Sequence, residues 1–135
     1  MDIDQIHKKL LAAAERLLNS QPDLNSFTSE TNQTEWNLAH HLANELSKEF
    51  PELSCDVDVI KPNLGNKRPD IILHKRGTHK FNFLVIEIKR EEDMIKTDLK
   101  KISDYWFSEP LGYKFGAVVV LDKYLKAISV KKNIN

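Results

Sequence analysis

One cysteine, Cys55, is all the thiol this 135-residue chain has, so no internal disulfide can form, and a lone thiol fits a reducing compartment. No apolar run approaches the length of a membrane span, which sets aside a transmembrane protein. The N-terminal MDIDQIHKKLL lacks the basic-then-apolar layout of a secretory signal. Together these absences predict a cytoplasmic protein with no membrane partner. Glycine and proline are scarce, at four and five residues, and neither an internal repeat nor a low-complexity tract occurs. Zinc-finger spacing, a P-loop, a Rossmann glycine pattern and a nucleophilic triad are all missing, which removes the function classes they serve. There is no net charge either.

What is present is an ordinary globular composition, 41% apolar and 30% charged, in a length that suits a single domain spanning 1–135. The zero net charge conceals an asymmetry. Residues 1–58 hold four Lys/Arg against eleven Asp/Glu, and residues 59–135 hold sixteen against nine. The second half is basic enough to face a polyanion, although folding can interleave the two halves.

Periodicity organises the chain. Ile3, Ile6, Leu10, Ala14, Leu17 and Leu18 form one helical stripe over about 2–19, with Asp2 or Asp4 as the cap. SQPDLNSFTSETNQ (20–33) reads as a loop, and a second helix over about 34–48 is stopped by Pro51. LSCDVDVI (53–60) alternates as a strand does, and KPNLGNKRP (61–69) has turn composition. Two strands, PDIILHK and FNFLVIEIK, flank a short link with Gly77 and read as an antiparallel hairpin. A third helix is expected over 91–107, then a buried strand FGAVVVL (115–121) and a last strand YLKAISV (124–130). The order α–α–β–β–β–α–β–β predicts an α/β (α+β) sheet with a helical cover.

Charges at the hairpin's open end carry the chemistry. With the turn centred between Thr78 and His79, position i faces 157 − i, and Asp70 lies across from Glu87. Glu87 and Lys89 share a face by alternation. Two carboxylates held together repel unless a proton or cation lies between them, and hard oxygen donors suit Mg²⁺ or Mn²⁺. Glu35 falls inside the apolar stripe of the second helix, Leu38, Ala39, Leu42, Ala43 and Leu46, and can reach the same sheet end.

Pro69-Asp70, a spacer, and Glu87-Ile88-Lys89 resemble the signature of the PD-(D/E)XK nuclease superfamily. The element order over about 34–121 is similar to that superfamily's restriction-endonuclease-like αβββαβ core, a mixed sheet flanked by helices, with the N-terminal helix as an addition. The wording PDIILHKRG…LVIEIK, then DLKKI and YKFG, looks like small uncharacterised prokaryotic members. The resemblance implies a divalent-metal-dependent nuclease hydrolysing phosphodiester bonds, with DNA favoured over RNA. Asp70 and Glu87 would bind Mg²⁺, or Mn²⁺, with the Ile88 backbone carbonyl as a further ligand. Lys89 would orient or deprotonate the attacking water or stabilise the transition state. Glu35 would act through a bound water or at a second metal position. Specificity would come from KPNLGNKR and HKRGTHK, from a second subunit of a homodimer, or from a partner protein.

Each residue also has a plain reading. Pro69-Asp70 closes a turn, Glu87 and Lys89 form a surface ion pair worth less than about 1 kcal/mol, and Glu35 completes a capping box with Asn32. Lys101 either contacts a phosphate or pairs with Asp98 on its own helix. His41 and Glu45 have i, i+4 spacing but no third ligand, and His74 shares Asp70's face, where it lines the site or packs. Cys55 reads as a small core residue, and Tyr105, Trp106 and Phe107 read as helix-end packing. Two further functions remain open. One is an inactive binding domain of the same fold, and the other is a plain α/β interaction domain with a coincidental motif that no divalent ion would stabilise.

Overall fold

The computed structural model describes residues 1–24, 34–57 and 69–134, with side chains from residue 37 onward in the second stretch. Among the described residues eight elements follow one another: α1 (Ile3–Ser20), α2 (Thr34–Glu49), β1 (Ser54–Val57), β2 (Ile71–His74), β3 (Leu84–Lys89), α3 (Ile95–Trp106), β4 (Phe115–Leu121) and β5 (Leu125–Lys132). Their order is the one read from the sequence. The five strands form one mixed sheet in the order β1-β2-β3-β4-β5. β3 and β4 are parallel, and every other neighbouring pair is antiparallel. No described helix is long and apolar enough to cross a membrane.

The period-two alternation of the strands separates two cores. Ile71, Leu73, Leu84, Ile86, Ile88, Phe115, Ala117, Val119 and Leu121 face α1 and α2, meeting the stripe of Ile6, Leu10, Leu17, Leu38, Leu42 and Leu46. Ile72, Val85, Val118 and Val120 face the other way, onto Ile102, Trp106, Phe107 and Tyr113 around α3. The domain is therefore three layers, helices–sheet–helix, and β4 is buried along its whole length between them.

Local chemistry sets the element ends. Asp2 accepts the Gln5 backbone N–H at 2.9 Å while Gln5 Oε1 accepts the Asp2 N–H at 2.8 Å, so a capping box starts α1. Arg16 ties α1 to α2 through Glu45 and Glu49, both at 2.9 Å. The third helix starts at Ile95, later than the expected 91, because Met94 before it sits at φ 63° in the left-handed region and breaks the helical path. β1 is described to Val57, so the rest of the predicted strand to residue 60 lies outside the described residues, as do the KPNLGNKR stretch and Asn32.

Candidate functional site

The hairpin pairing places the site. Ile71 faces Ile86, Ile72 faces Val85 and Leu73 faces Leu84, the register in which Asp70 stands next, across from Glu87. Asp70 immediately precedes β2, and its Oδ2 accepts the Ile88 N–H at 2.7 Å. That bond locks one carboxylate oxygen onto β3 and fixes the chain where β2 begins. Glu87 and Lys89 alternate with the buried Ile86 and Ile88, so both project towards the α3 layer, half-buried.

On that face the structure adds a residue assigned elsewhere by the sequence reading. Lys89 Nζ lies 2.6 Å from Asp98 Oδ2, in the first turn of α3. The ion pair joins a half-buried ammonium to a buried carboxylate oxygen. Asp98 thus pairs across layers with Lys89 and not along its helix with Lys101, because a helix packed on the sheet brings its first turn over the strand end. A carboxylate there also suits the positive end of the helix dipole. Lys101 is exposed on α3 and forms no ion pair among the described residues. Glu35 lies within α2, but its side chain is outside the described residues.

Beside Lys89 the parallel strands β3 and β4 end together, and a cavity of about 360 Å³ opens there, lined by Lys89, Arg90, Glu91, Asp93, Asp122 and Lys126. Arg90 reaches Asp122 at 3.6 Å, and Lys126 Nζ donates to the Arg90 carbonyl at 3.0 Å.

A second polar cluster sits at the far end of β2. His74, buried, donates from Nε2 to Asp56 Oδ2 at 2.6 Å, and Arg76 binds both oxygens of the same carboxylate. The Arg76 bonds, helped by His74 and opposed by burial, hold the Asp56 carboxyl down at about 2. Burial, then the Asp56 charge, pushes the Tyr113 phenol up. His74 therefore serves this pair and sits at the opposite end of β2 from Asp70. Sequence reasoning missed Asp56 and Arg76, whose only signal was same-face placement once β1 is paired with β2.

The remaining candidates have structural partners. Glu45 is occupied by Arg16 and Lys48, and His41 Nδ1 lies 3.0 Å from Gln21 Nε2. Cys55 packs against the larger core, its thiol pushed up to about 12 by burial and then by Asp56. Trp106 and Phe107 are buried, whereas Tyr105 lies at the surface.

Among the described residues, no group of three or more His, Cys, Asp or Glu side chains is placed to hold a metal ion. Asp70 and Glu87 bring a two-carboxylate donor set to the β2–β3 end. It fits the habit of Mg²⁺, which takes one or two carboxylates and completes its shell with water and phosphate oxygens. No protein-family model, no curated protein and no solved structure matches the chain.

Proposed function

We propose that this chain is a divalent-metal-dependent nuclease of the PD-(D/E)XK, restriction-endonuclease-like type, hydrolysing phosphodiester bonds with DNA favoured over RNA. The observation that carries the reading is the strand register, which sets Asp70 across from Glu87 with Lys89 on Glu87's face of the sheet. The Ile88 N–H orients Asp70 through Oδ2. Asp70 and Glu87 would hold Mg²⁺ or Mn²⁺, with the Ile88 carbonyl alongside. When bound, such an ion lowers the pKa of a coordinated water and neutralises charge on the phosphate. Lys89 orients the attacking water and balances negative charge growing on the phosphoryl oxygens. Asp98 steadies the ammonium from α3. Glu35 enters through its place in the apolar stripe of α2 and the family resemblance, and specificity would come from a second subunit or a partner protein. The cytoplasmic placement rests on the lone thiol.

The non-catalytic binding domain is favoured by one specific observation. Asp70 and Lys89 each have a structural use, in the Ile88 N–H bond and the Asp98 ion pair. An inactive relative would thus have reason to keep both charges. Incubation of the full chain with plasmid DNA, single-stranded DNA and RNA in Mg²⁺, Mn²⁺ or EDTA separates the two readings. Metal-dependent cleavage is expected, lowered about 100-fold or more in Lys89→Ala and lost in Asp70→Asn, which keeps an acceptor for the Ile88 N–H. Cleavage indifferent to Lys89→Ala, or none by the wild type in either metal, would sink the nuclease reading.

A further inference from the structure

We propose that the lysine-rich end of the sheet, opposite the Asp70–Glu87 end, is a separate nucleic-acid contact that grips the phosphate backbone of a duplex without reading its sequence. The inference goes beyond the nuclease reading and does not need it, because no residue of the Asp70–Glu87 site takes part.

Topology gathers the charge. β2 ends at His74, β3 begins at Leu84, β4 begins at Phe115 and β5 ends at Lys132, and the strand directions set these four ends side by side. Lys80 comes from the link between β2 and β3, Lys114 from the residue before β4, and Lys131 and Lys132 from the close of β5. All four are exposed, and none forms an ion pair among the described residues. Lys75 adds a fifth ammonium, which stands 4.4 Å from the centroid of the exposed Phe81 ring and keeps its charge. Arg76 is spent on Asp56, so that pair adds nothing. Lys9 reaches the Glu49 carbonyl at the end of α2, and there Lys8 and Lys9 offset Asp2 and Asp4 of the α1 start. Exposed Glu52 and Glu109 stand in the adjoining loops and oppose the five lysines only in part.

The backbone beneath these lysines is fixed. The Lys114 N–H donates to the Asn82 carbonyl at 3.1 Å, and the Asn133 N–H donates to the Lys114 carbonyl at 2.8 Å. Buried Asn82 donates from Nδ2 to the Leu111 carbonyl at 2.8 Å, and Asn133 Nδ2 donates to the Tyr113 carbonyl at 2.9 Å. Binding therefore has side chains to order but no loop.

The partner follows from spacing and residue type. Neighbouring strands lie about 4.8 Å apart, so the row from β2 to β5 spans roughly 14 Å. A nucleic-acid strand carries one phosphate per about 3.4 Å of duplex axis, which sets about four phosphates along that row. Lysine is depleted from protein–protein interfaces, whose centres are apolar and aromatic, so a row of ammoniums suits a uniform polyanion better than an acidic protein. Flexible point charges neutralise phosphates and carry no base readout. Asp70 and Lys75 stand at opposite ends of β2, roughly 17 Å apart at about 3.3 Å per residue, so the two sites do not overlap.

Fluorescence anisotropy of the full chain with a labelled DNA duplex in EDTA, over a series of KCl concentrations, tests this without metal or turnover. Replacing Lys80, Lys114, Lys131 and Lys132 together by Gln should weaken binding at least about tenfold and flatten the log–log salt dependence by about 3–4. Lys96→Gln with Lys123→Gln removes exposed charge elsewhere and should leave the salt slope unchanged. Two duplexes of unrelated sequence should bind alike, and polyglutamate should compete only in large excess. The inference is overturned by absent wild-type binding, by a slope unaltered in the fourfold variant, or by equal slope losses per lysine in both variants, which would mean diffuse attraction. Unequal binding of the two duplexes overturns it as well. Polyglutamate competing as well as DNA also overturns it, leaving a surface for acidic proteins. Cleavage in Mg²⁺ is scored separately. Duplex binding that survives Asp70→Asn, with no cleavage by the wild type, keeps this contact and removes the nuclease. Metal-dependent cleavage with an unaltered slope in the fourfold variant does the reverse.

Discussion

Asp70 and Asp56 are both half-buried carboxylates next to or within edge-side strands, yet their neighbours give them opposite prospects. Asp70 accepts the Ile88 N–H and stands across from Glu87, so two carboxylates meet at one strand end. Asp56 is already answered, by the Arg76 fork and the His74 N–H. Its folded carboxyl at about 2 lies below the ordinary value of 3.8. The stabilisation from that depression is thus complete above the unfolded value and is lost as pH falls through the folded one. Asp56→Asn is expected to lower unfolding free energy by about 2 kcal/mol at neutral pH. In urea titrations at successive pH values, its gap from wild type should narrow from pH 4 to pH 2. A gap that stayed constant across that window would show that the carboxylate charge contributes nothing.

At the scale of the elements, β4 and α3 meet more closely than any side chain at position 116 would permit. A Cβ built on Gly116 would lie 2.3 Å from Ile102 Cγ2 and 3.4 Å from the Phe107 ring. Gly116→Ala should therefore push α3 off the sheet and cost about 1–3 kcal/mol. Adding Ile102→Ala should cost less in that background than in wild type, as a double-mutant cycle in urea would read. Additive losses would mean that the helix moves freely. The same closeness explains what could be seen in the sequence. Continuous apolar runs in FGAVVVL and LVIEIK announced buried strands, and the hairpin register followed from a single assumed turn centre. The start of α3 did not follow, since nothing in Glu91-Glu92-Asp93-Met94 marks a left-handed residue. Long-range partners were equally hidden. Asp98 has Lys101 three residues away on its own helix, and only the packing of α3 on β3 brings Lys89 nearer. The Asp56–His74–Arg76 cluster likewise exists only after β1 pairs with β2.

Across the whole molecule, the acidic half of the sequence supplies α1, α2 and β1, and the basic half supplies the remaining strands and α3. Lys89, Arg90 and Lys126, all from the basic half, stand where the parallel strands β3 and β4 end. A thermal scan of the intact protein reads the metal site by linkage. With free Mg²⁺ or Mn²⁺ tenfold above its dissociation constant, the wild-type midpoint should rise by about 3–6 °C over EDTA, and Asp70→Asn should show no rise. An equal rise in both would place the ion elsewhere. The contact of α1 with β5 has a consequence for synthesis. Leu125, Ile128 and Val130 of the last strand pack against the core that α1 and α2 begin. α1 leaves the ribosome more than 100 residues before β5, so its apolar stripe is fully covered only after that stretch is made. At translation speeds of about 5–20 residues per second, those leucines stay uncovered for seconds. During that interval the nascent chain depends on chaperones, or on its own early α1–α2 pairing, to avoid aggregation.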